Sequence, residues 1–254
     1  MVINMLIDTH CHFEKQYYDD FDEILNNAKL DGVTKIIASG CSKSANAEAL
    51  EFADSHENVY TTIGFHPDQA EVVTFDDLIE LEKQILSSNK VVGIGEIGLD
   101  YHYEGYNKEH QFDLFEKQLF LAQKYDLPVV IHSRDATQDT IEILKKYSVK
   151  GVIHSFSGSY EVAKIYIDLG YKLGINGVVT FKNCNLRETL KKIDPENIVF
   201  ETDSPYMTPE PYRGIKNESK NIKVIANYVA GIYGISTEKL AEITSKNATS
   251  VFDM

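Results

Sequence analysis

The sequence has no tryptophan and only three cysteines among 254 residues, and it is poor in basic side chains. The cysteines are odd in number and lack Cys-x-x-Cys spacing, so neither a disulfide framework nor a cysteine-type zinc site is indicated. Lys and Arg total 25 against 39 Asp and Glu, which gives a net charge of −14. This charge excludes a protein that coats nucleic acid through bulk positive potential.

Long hydrophobic runs are also lacking. No apolar stretch approaches the roughly 18 residues that cross a bilayer, and the first residues lack the basic and apolar regions of a secretory signal. We therefore expect a cytoplasmic protein that does not enter a membrane. Without repeats or Pro/Gly/Ser-rich linkers, residues 1–254 are predicted to form one domain. No partner-helix or tail motif indicates an obligate protein partner, and the oligomeric state stays open.

Eight short β-branched or apolar runs recur along the chain, with segments of helix length between them. They lie at Met5–Thr9, Val33–Ser39, Val59–Gly64, Val91–Gly95, Pro128–Ile131, Gly151–Ile153, Tyr171–Ile175 and Ile198–Phe200. Nearly continuous apolar runs are typical of parallel strands that are covered on both faces. Eight such units in about 250 residues favour an α/β fold, a closed (β/α)8 TIM barrel, over an open doubly wound sheet.

Three helical regions are predicted from local patterns. The segment Asn107–Tyr125 has apolar residues at helical spacing and ends before a proline. Thr74 followed by Asp77 predicts a capped helix start. Residues 218–254 are predicted to form terminal helices that cover the barrel.

Ionisable side chains cluster just after the predicted strands, where a TIM barrel places its active site. The six potential metal ligands are His10, His12, Glu96, His132, His154 and Asp203. One such histidine alone is better explained as an ordinary partly buried residue, so their shared position is what indicates a metal site. Imidazole and carboxylate groups suit Zn, Mn, Fe or Co, and six ligands exceed what one tetrahedral ion needs. The sequence therefore predicts a two-metal site at the carboxyl-terminal rim of the strands.

Six motifs in order carry a resemblance to a known family. They are Asp8-Thr9-His10-Cys11-His12-Phe13, Gly64-Phe65-His66-Pro67, Gly95-Glu96-Ile97-Gly98-Leu99-Asp100-Tyr101, Ile131-His132-Ser133-Arg134, His154-Ser155-Phe156-Ser157-Gly158 and Glu201-Thr202-Asp203-Ser204-Pro205. Together they resemble the TatD family of metal-dependent deoxyribonucleases. The resemblance implies a TIM barrel whose divalent-metal centre cleaves nucleic-acid phosphodiesters, with 3′-to-5′ exonuclease activity on DNA. The chain departs from the family pattern at Ser155, where cysteine is common, and at residues 213–219, which lose a basic residue and a proline.

The resemblance and the positions together assign roles. His10, His12 and Asp203 would hold one metal and His132 and His154 the other, with Glu96 bridging, because a carboxylate can span ions about 3.5–4 Å apart. Metal binding lowers the pKa of a coordinated water, which Asp203 or Glu201 would orient or deprotonate. A simple salt bridge is the alternative for Glu201. Histidine-rich shells suit Zn or Mn, whereas the resemblance implies Mg, so the ion stays open.

Substrate contacts are predicted at the same rim. Arg134 and Arg213 lie after the fifth and eighth strands, where a guanidinium can bind phosphate in a bidentate manner. His66 is expected to donate a hydrogen bond to the same group. Tyr101 is expected to stack on bases, a mode suited to single-stranded DNA, although loop packing is the alternative for it.

Two other functions compete with a nuclease. The first is an amidohydrolase that cleaves a small cyclic amide or ester, since that superfamily shares the barrel and the His-x-His start. Many of its binuclear members bridge their metals with a modified lysine on strand four, whereas this chain has Glu96. The second is a non-catalytic scaffold, which the intact set of six ligands disfavours.

Overall fold

Eight parallel strands form one sheet in chain order in the computed structural model, which describes residues 6–254. They are β1 Leu6–Cys11, β2 Val33–Ser39, β3 Val59–Ile63, β4 Val91–Asp100, β5 Val129–Arg134, β6 Gly151–Ile153, β7 Tyr171–Ile175 and β8 Ile198–Phe200. The Asp203 amide donates to the His10 carbonyl at 2.9 Å, and the His12 amide donates to the Ser204 carbonyl at 2.7 Å. These bonds bring the segment after β8 onto β1. The predicted TIM barrel is therefore confirmed, while Met5 of the first predicted strand lies outside the described residues.

Helices alternate with the strands and surround the sheet. They are α1 Phe21–Leu30, α2 Lys43–Ser55, α3 Phe75–Ser87, α4 Lys108–Tyr125, α5 Thr137–Leu144, α6 Tyr160–Asp168, α7 Leu186–Leu190, α8 Ile222–Tyr233 and α9 Thr237–Phe252. The predicted cap at Thr74 is confirmed as a reciprocal capping box with Asp77. Asn107 caps α4 as its side chain accepts from the first-turn amides. None of the helices within residues 6–254 combines the length and apolar character that crossing a bilayer requires.

Three strands extend further than the apolar runs predict. β4 continues beyond Gly95 to Asp100, because its last three residues pair with His132, Ser133 and Arg134 of β5. The register shifts between Ile94 and Ile97, so the strand is irregular where Glu96 lies. Polar residues end an apolar run in the sequence, but they do not end backbone pairing. Glu96 and His132 therefore lie within strands, where neighbouring backbone positions them, and not after the strand ends.

The end of the barrel interior that faces the C-terminal helix is apolar and is closed by that helix. Six strands each contribute one buried side chain that packs in a cluster with Ala248, Val251 and Phe252 of α9, namely Ile7, Ile37, Val92, Val130, Val152 and Val199. A larger apolar layer joins the outside of the sheet to the surrounding helices. As predicted, the terminal helices cover the barrel. The polar site is therefore confined to the opposite end, where the strands terminate.

A fully buried carboxyl group, Asp8, joins β1 to the segment after β8. It accepts hydrogen bonds from the Thr202 amide at 2.8 Å and the Thr202 hydroxyl at 2.6 Å. Burial raises the pKa of Asp8 from 3.8 to about 7, although these hydrogen bonds lower it. The folded protein therefore binds the Asp8 proton more tightly than the unfolded chain does.

We expect Asp8→Asn to change how stability depends on pH. A raised folded-state pKa stabilises the fold fully below 3.8, and that contribution is lost as the pH rises to about 7. Asparagine is neutral at every pH, so the stability of the variant relative to the parent should increase across this window and then stay level. Denaturant unfolding of both proteins at matched pH measures the difference. A difference that does not vary with pH would contradict the assigned burial effect.

Candidate metal centre

Glu96 lies between two pairs of histidines at the carboxyl end of the barrel. Its Oε2 atom is 3.4 Å from Nε2 of His10 and 3.7 Å from Nε2 of His12. Its Oε1 atom is 2.7 Å from Nδ1 of His132 and 3.7 Å from Nε2 of His154. Each carboxylate oxygen therefore faces a different histidine pair.

Asp203 completes the cluster from the segment after β8. Its Oδ1 atom is 3.7 Å from His10 Nε2 and 3.5 Å from His12 Nε2, and its Oδ2 atom is 3.9 Å from His154 Nε2. All six ligands that the sequence predicts are thus brought together. Ligand atoms of His10, His12 and Glu96 lie within 4.8 Å of one another, as do those of Glu96, His132 and His154.

The chemistry of the cluster fits divalent cations. The Nε2 atoms of His10 and His12 are only 3.2 Å apart, and carboxylate oxygens lie on both sides of them. Five of the six side chains are buried, and His132 is partly exposed. Imidazole nitrogens and carboxylate oxygens that converge on shared space make the mixed donor set of hydrolytic metal sites. The site is therefore a candidate metal centre.

Backbone and hydroxyl groups of β2 and β3 orient the first histidine pair. The Ser39 hydroxyl is 2.9 Å from His10 Nδ1 and 3.0 Å from the Thr62 hydroxyl. His12 Nδ1 lies 3.2 Å from the Ser39 carbonyl. Because each Nδ1 is occupied, each Nε2 faces the cluster, which is how outer-shell partners set histidine tautomers in metal sites. Sequence analysis missed Ser39 and Thr62, because a hydroxyl residue in an apolar strand carries no signal of this role.

Asp100 performs the same task for His132. Its Oδ2 atom is 3.0 Å from His132 Nε2, and its Oδ1 atom accepts from the His102 amide at 2.8 Å. His132 Nδ1 is thereby turned toward Glu96. Asp100 is part of a motif quoted above but was given no role, so a signal for it was present in the sequence.

We expect Asp100→Asn to weaken divalent-metal binding by about 10–100-fold, the usual cost of losing an outer-shell partner. Asparagine is neutral and has one acceptor oxygen, so it cannot accept from both His132 Nε2 and the His102 amide, and the ring is less well oriented and less basic. Calorimetric titration with Mn²⁺ or Zn²⁺ measures the affinity. Asp135→Asn is the matched control, since the side-chain partner of Asp135 within residues 6–254 is the exposed His102 ring. Equal affinities in the two variants would contradict the role of Asp100.

Glu201 lies behind His154 and faces its other ring nitrogen. Glu201 Oε1 is 3.0 Å from His154 Nδ1 and accepts from the Ser155 amide at 2.6 Å. Gly174 makes room for this carboxylate, because a Cβ there would lie 2.2 Å from Oε2. Sequence analysis left two roles open for Glu201, which were to orient or deprotonate the water or to form a simple salt bridge. Its position against His154 Nδ1 favours the salt bridge, in which the carboxylate orients His154.

Carboxylates dominate the electrostatics of the cluster. Burial by itself would lower the pKa of His154, but Glu201, Glu96 and Asp203 raise it to about 10. Burial also opposes protonation of His132, yet Asp100 and Glu96 raise its pKa to about 9. Burial would raise the pKa of Asp203, but His154 and His12 lower it. In the metal-free protein, histidine protons therefore balance the buried negative charge.

The predicted phosphate contacts differ in how close they lie to the cluster. His66 Nε2 is 4.0 Å from Glu96 Oε1, and its ring centroid is 4.4 Å from that of His132. Arg134 is exposed at the end of β5, with Nη1 3.3 Å from the Tyr103 hydroxyl. The Arg213 guanidinium is 3.8 Å from the Phe181 ring centroid. His66 contacts the ligand set, whereas the guanidinium groups of both arginines lie over loop aromatics, that of Arg134 at 5.3 Å from the Tyr103 ring centroid.

Tyr101 is engaged elsewhere. Its hydroxyl donates to Asp139 of α5 at 2.8 Å, and its ring stacks on Tyr106 with 4.7 Å between centroids. This contact supports the loop-packing alternative for Tyr101. Tyr206 is the aromatic residue beside the cluster, because its ring is 6.1 Å from that of His12 and is 47% exposed. Its hydroxyl is 2.6 Å from that of Tyr17.

A family model, related sequences and solved structures are similar to this chain over nearly its whole length. The family model described as TatD related DNase matches residues 7–253. The metal-dependent hydrolase YabD of Bacillus subtilis is 38% identical over 253 residues, covering 98% of this chain and 99% of YabD. The crystal structure of YjjV, a TatD homologue from Escherichia coli, has a TM-score of 0.94 at 30% identity and 99% coverage of both chains. A TatD family hydrolase from Entamoeba histolytica has a TM-score of 0.88 at 25% identity, with 98% of each chain covered.

The barrel, the ligand cluster at its carboxyl end and these relatives together define a metal-dependent hydrolase. Within that class, the chain belongs to the TatD family.

Proposed function

We propose that this protein is a deoxyribonuclease that uses two divalent metal ions to remove nucleotides from the 3′ end of single-stranded DNA. The observation that carries the proposal is Glu96, whose two oxygens each face a separate histidine pair. This is the arrangement that a carboxylate shared by two cations requires. The family description supports DNA as the substrate class. Free thiols at all three cysteines are consistent with the cytoplasm, and residues 1–254 would act as one hydrolase domain.

In this proposal the six side chains would be shared between two ions. His10, His12 and Asp203 would hold one ion and His132 and His154 the other, with Glu96 between them. When bound, Mg²⁺, Mn²⁺ or Zn²⁺ would make water a better nucleophile and neutralise charge on the phosphodiester.

Asp203 is the residue best placed to handle the proton of the attacking water. Its Oδ1 atom faces His10 and His12, and its Oδ2 atom faces His154, so it borders both histidine pairs. Burial raises its pKa, but these imidazoles hold it below the usual value, so it is ionised and able to accept or orient that proton. Glu201 holds His154 from behind and does not contact the reacting groups in this proposal.

The rim residues would bind the DNA. His66 reaches the cluster and would donate to the phosphate that is cleaved, while Arg134 and Arg213 would contact flanking phosphates. Exposed Tyr206 would stack on an unpaired base, a contact that tolerates any sequence and suits single strands. With a net charge of −14, the protein would depend on these local contacts and on metal for affinity.

The test is a cleavage assay with metal-stripped protein and a 5′-labelled single-stranded oligonucleotide, with and without added Mg²⁺, Mn²⁺ or Zn²⁺. Asp203→Ala run in parallel reveals any contaminating nuclease. A metal-dependent ladder of shortened products that is absent from the variant is the expected result. If folded, metal-loaded protein cleaves neither DNA nor RNA, the nuclease proposal fails and a small amide or ester becomes the better candidate.

A further inference from the structure

A cysteine and a glutamate lie beside His12, outside the set of six predicted ligands. Cys41 lies two residues beyond the end of β2, and His12 and Glu14 lie in the segment that follows β1. Because β1 and β2 pair in parallel, the segments that follow them come together. A ring nitrogen of His12, the Cys41 thiol and a carboxylate oxygen of Glu14 lie within 4.8 Å of one another. We call these three residues the thiol site.

Backbone hydrogen bonds hold the Cys41 turn in place. The Cys41 carbonyl accepts from the His66 amide at 2.9 Å, and the Gly40 carbonyl accepts from the Glu96 amide at 2.8 Å. These bonds tie the turn after β2 to β4 and to the segment after β3. The Cys41 side chain is also a hydrogen-bond partner of His12. The fold itself therefore places a thiol against the ring of a proposed metal ligand.

The other two cysteines are in different surroundings. Cys11 is fully buried, and its thiol donates to the Ile37 carbonyl at 3.3 Å. Cys184 belongs to none of the groups of metal-binding side chains found within residues 6–254. Cys41 is partly exposed, so an ion from solvent can reach it. It is thus the thiol that combines access with neighbouring donor atoms.

Glu14 supplies negative charge at the same place. Its Oε2 atom accepts from the Gln16 side-chain amide at 2.8 Å, and the side chain is partly exposed. The adjacent base, Lys15, pairs with Glu51 instead, at 2.9 Å. A cation at the thiol site would therefore meet a carboxylate that its neighbouring lysine does not neutralise.

The donor set of the thiol site selects a particular class of ion. Thiolate ligands favour Zn²⁺ and softer ions such as Cd²⁺, whereas Mg²⁺ and Mn²⁺ favour oxygen ligands. Zn²⁺ bonds of about 2.0–2.3 Å place tetrahedral donors about 3.5 Å apart. A small rotation of the partly exposed Glu14 side chain would close the set around one ion, and water would be the fourth ligand.

His12 cannot serve the thiol site and the metal centre at once. Its Nδ1 atom lies 3.2 Å from the Ser39 carbonyl, to which it donates, so Nε2 is the nitrogen that can bind a metal. That same Nε2 atom faces Glu96 and Asp203 in the proposed metal centre. One nitrogen lone pair binds one ion, so the two sites compete for it.

We propose that His12, Glu14 and Cys41 form a third cation site for a thiophilic divalent ion, and that its occupation inhibits hydrolysis by withdrawing His12 from the metal centre. As the ion binds, the thiol loses its proton to solvent and a metal–sulfur bond forms, with no change of oxidation state. The inhibitory effect rests on the proposed nuclease function, whereas binding of the ion does not.

Titration with Cd²⁺ tests the site directly, because a cadmium–thiolate bond has an ultraviolet charge-transfer absorption that histidine and carboxylate ligands lack. The parent and the control Cys184→Ser should both show this absorption, and Cys41→Ser should lose it. Glu14→Gln should weaken the Cd²⁺ affinity measured from the same absorption by at least about tenfold, or about 1.4 kcal/mol. This second variant keeps the test available if Cys41→Ser does not fold.

Inhibition is measured on oligonucleotide cleavage in saturating Mn²⁺. Added Cd²⁺ or Zn²⁺ should inhibit the parent and Cys184→Ser, whereas Cys41→Ser should need at least about tenfold more ion for half-inhibition. The rate of Cys41→Ser in Mn²⁺ alone should equal that of the parent.

Two results would overturn the inference. Absorption that is missing from the parent or that persists in Cys41→Ser would refute the thiol site. Equal inhibition of the parent and Cys41→Ser would refute the competition for His12. If no DNA is cleaved with any metal, the proposed function fails, and the cadmium absorption by itself still decides whether the thiol site exists.

Discussion

Glu96→Gln should lower DNA hydrolysis by at least about a thousandfold, equivalent to about 4 kcal/mol of transition-state stabilisation. Glutamine keeps the size of the side chain but has one carbonyl oxygen, so it cannot offer an anionic oxygen to both histidine pairs. One Glu96 oxygen is 3.4 Å from His10 Nε2 and the other is 2.7 Å from His132 Nδ1, so each histidine pair has its own carboxylate oxygen. Steady-state cleavage rates and metal content by mass spectrometry measure the two effects together.

Glu104→Gln is the matched control for that variant. Glu104 is an exposed glutamate in the loop after β4, and it should tolerate the same substitution without loss of rate or metal. Circular dichroism establishes that both variants are folded. A folded Glu96→Gln protein that retains full activity and the parental metal content would show that Glu96 is not the shared ligand.

Removal of metal by a chelator should abolish hydrolysis and destabilise the protein, with both effects reversed when metal is restored. A ligand that binds only the folded state stabilises it by about 2.7 kcal/mol at one hundred times its dissociation constant.

Metal binding should also release protons. The pKa is about 10 for His154 and about 9 for His132, and although burial lowers the pKa of His12, Asp203 and Glu96 raise it well above its usual value. All three rings are therefore protonated at neutral pH without metal.

Because a ligating imidazole must be neutral, about three protons should leave per protein on full loading at neutral pH, and affinity should rise with pH up to about 10. Calorimetric titrations with the same metal in two buffers of different ionisation enthalpy measure the release. Glu71→Gln provides a control, since it alters an exposed carboxylate whose side-chain partner in the described part of the chain is the exposed His110. Heats that do not depend on the buffer would contradict the assigned protonation of the metal-free cluster.

The sequence alone determined the barrel and brought the six candidate ligands to one end of it. Four of the predicted strands, Val33–Ser39, Gly151–Ile153, Tyr171–Ile175 and Ile198–Phe200, have the same bounds in the structure. These runs are short, buried and bounded by breaks in hydrophobicity, so composition reports their ends. Parallel strands in a closed barrel terminate at a common rim, and residues at those ends therefore converge whatever their separation in the chain.

The tertiary structure alone decided which side chains support the ligands and which face the substrate. The extension of β4 to Asp100 depends on pairing with β5, and it places the Asp100 carboxylate against His132. Glu201 faces the rear of His154 because Gly174 of the neighbouring strand leaves space for it. Tyr101 is drawn to Asp139 by a hydrogen bond between segments 38 residues apart. Such contacts follow from strand register and from the volume of neighbouring side chains, which local sequence patterns do not encode.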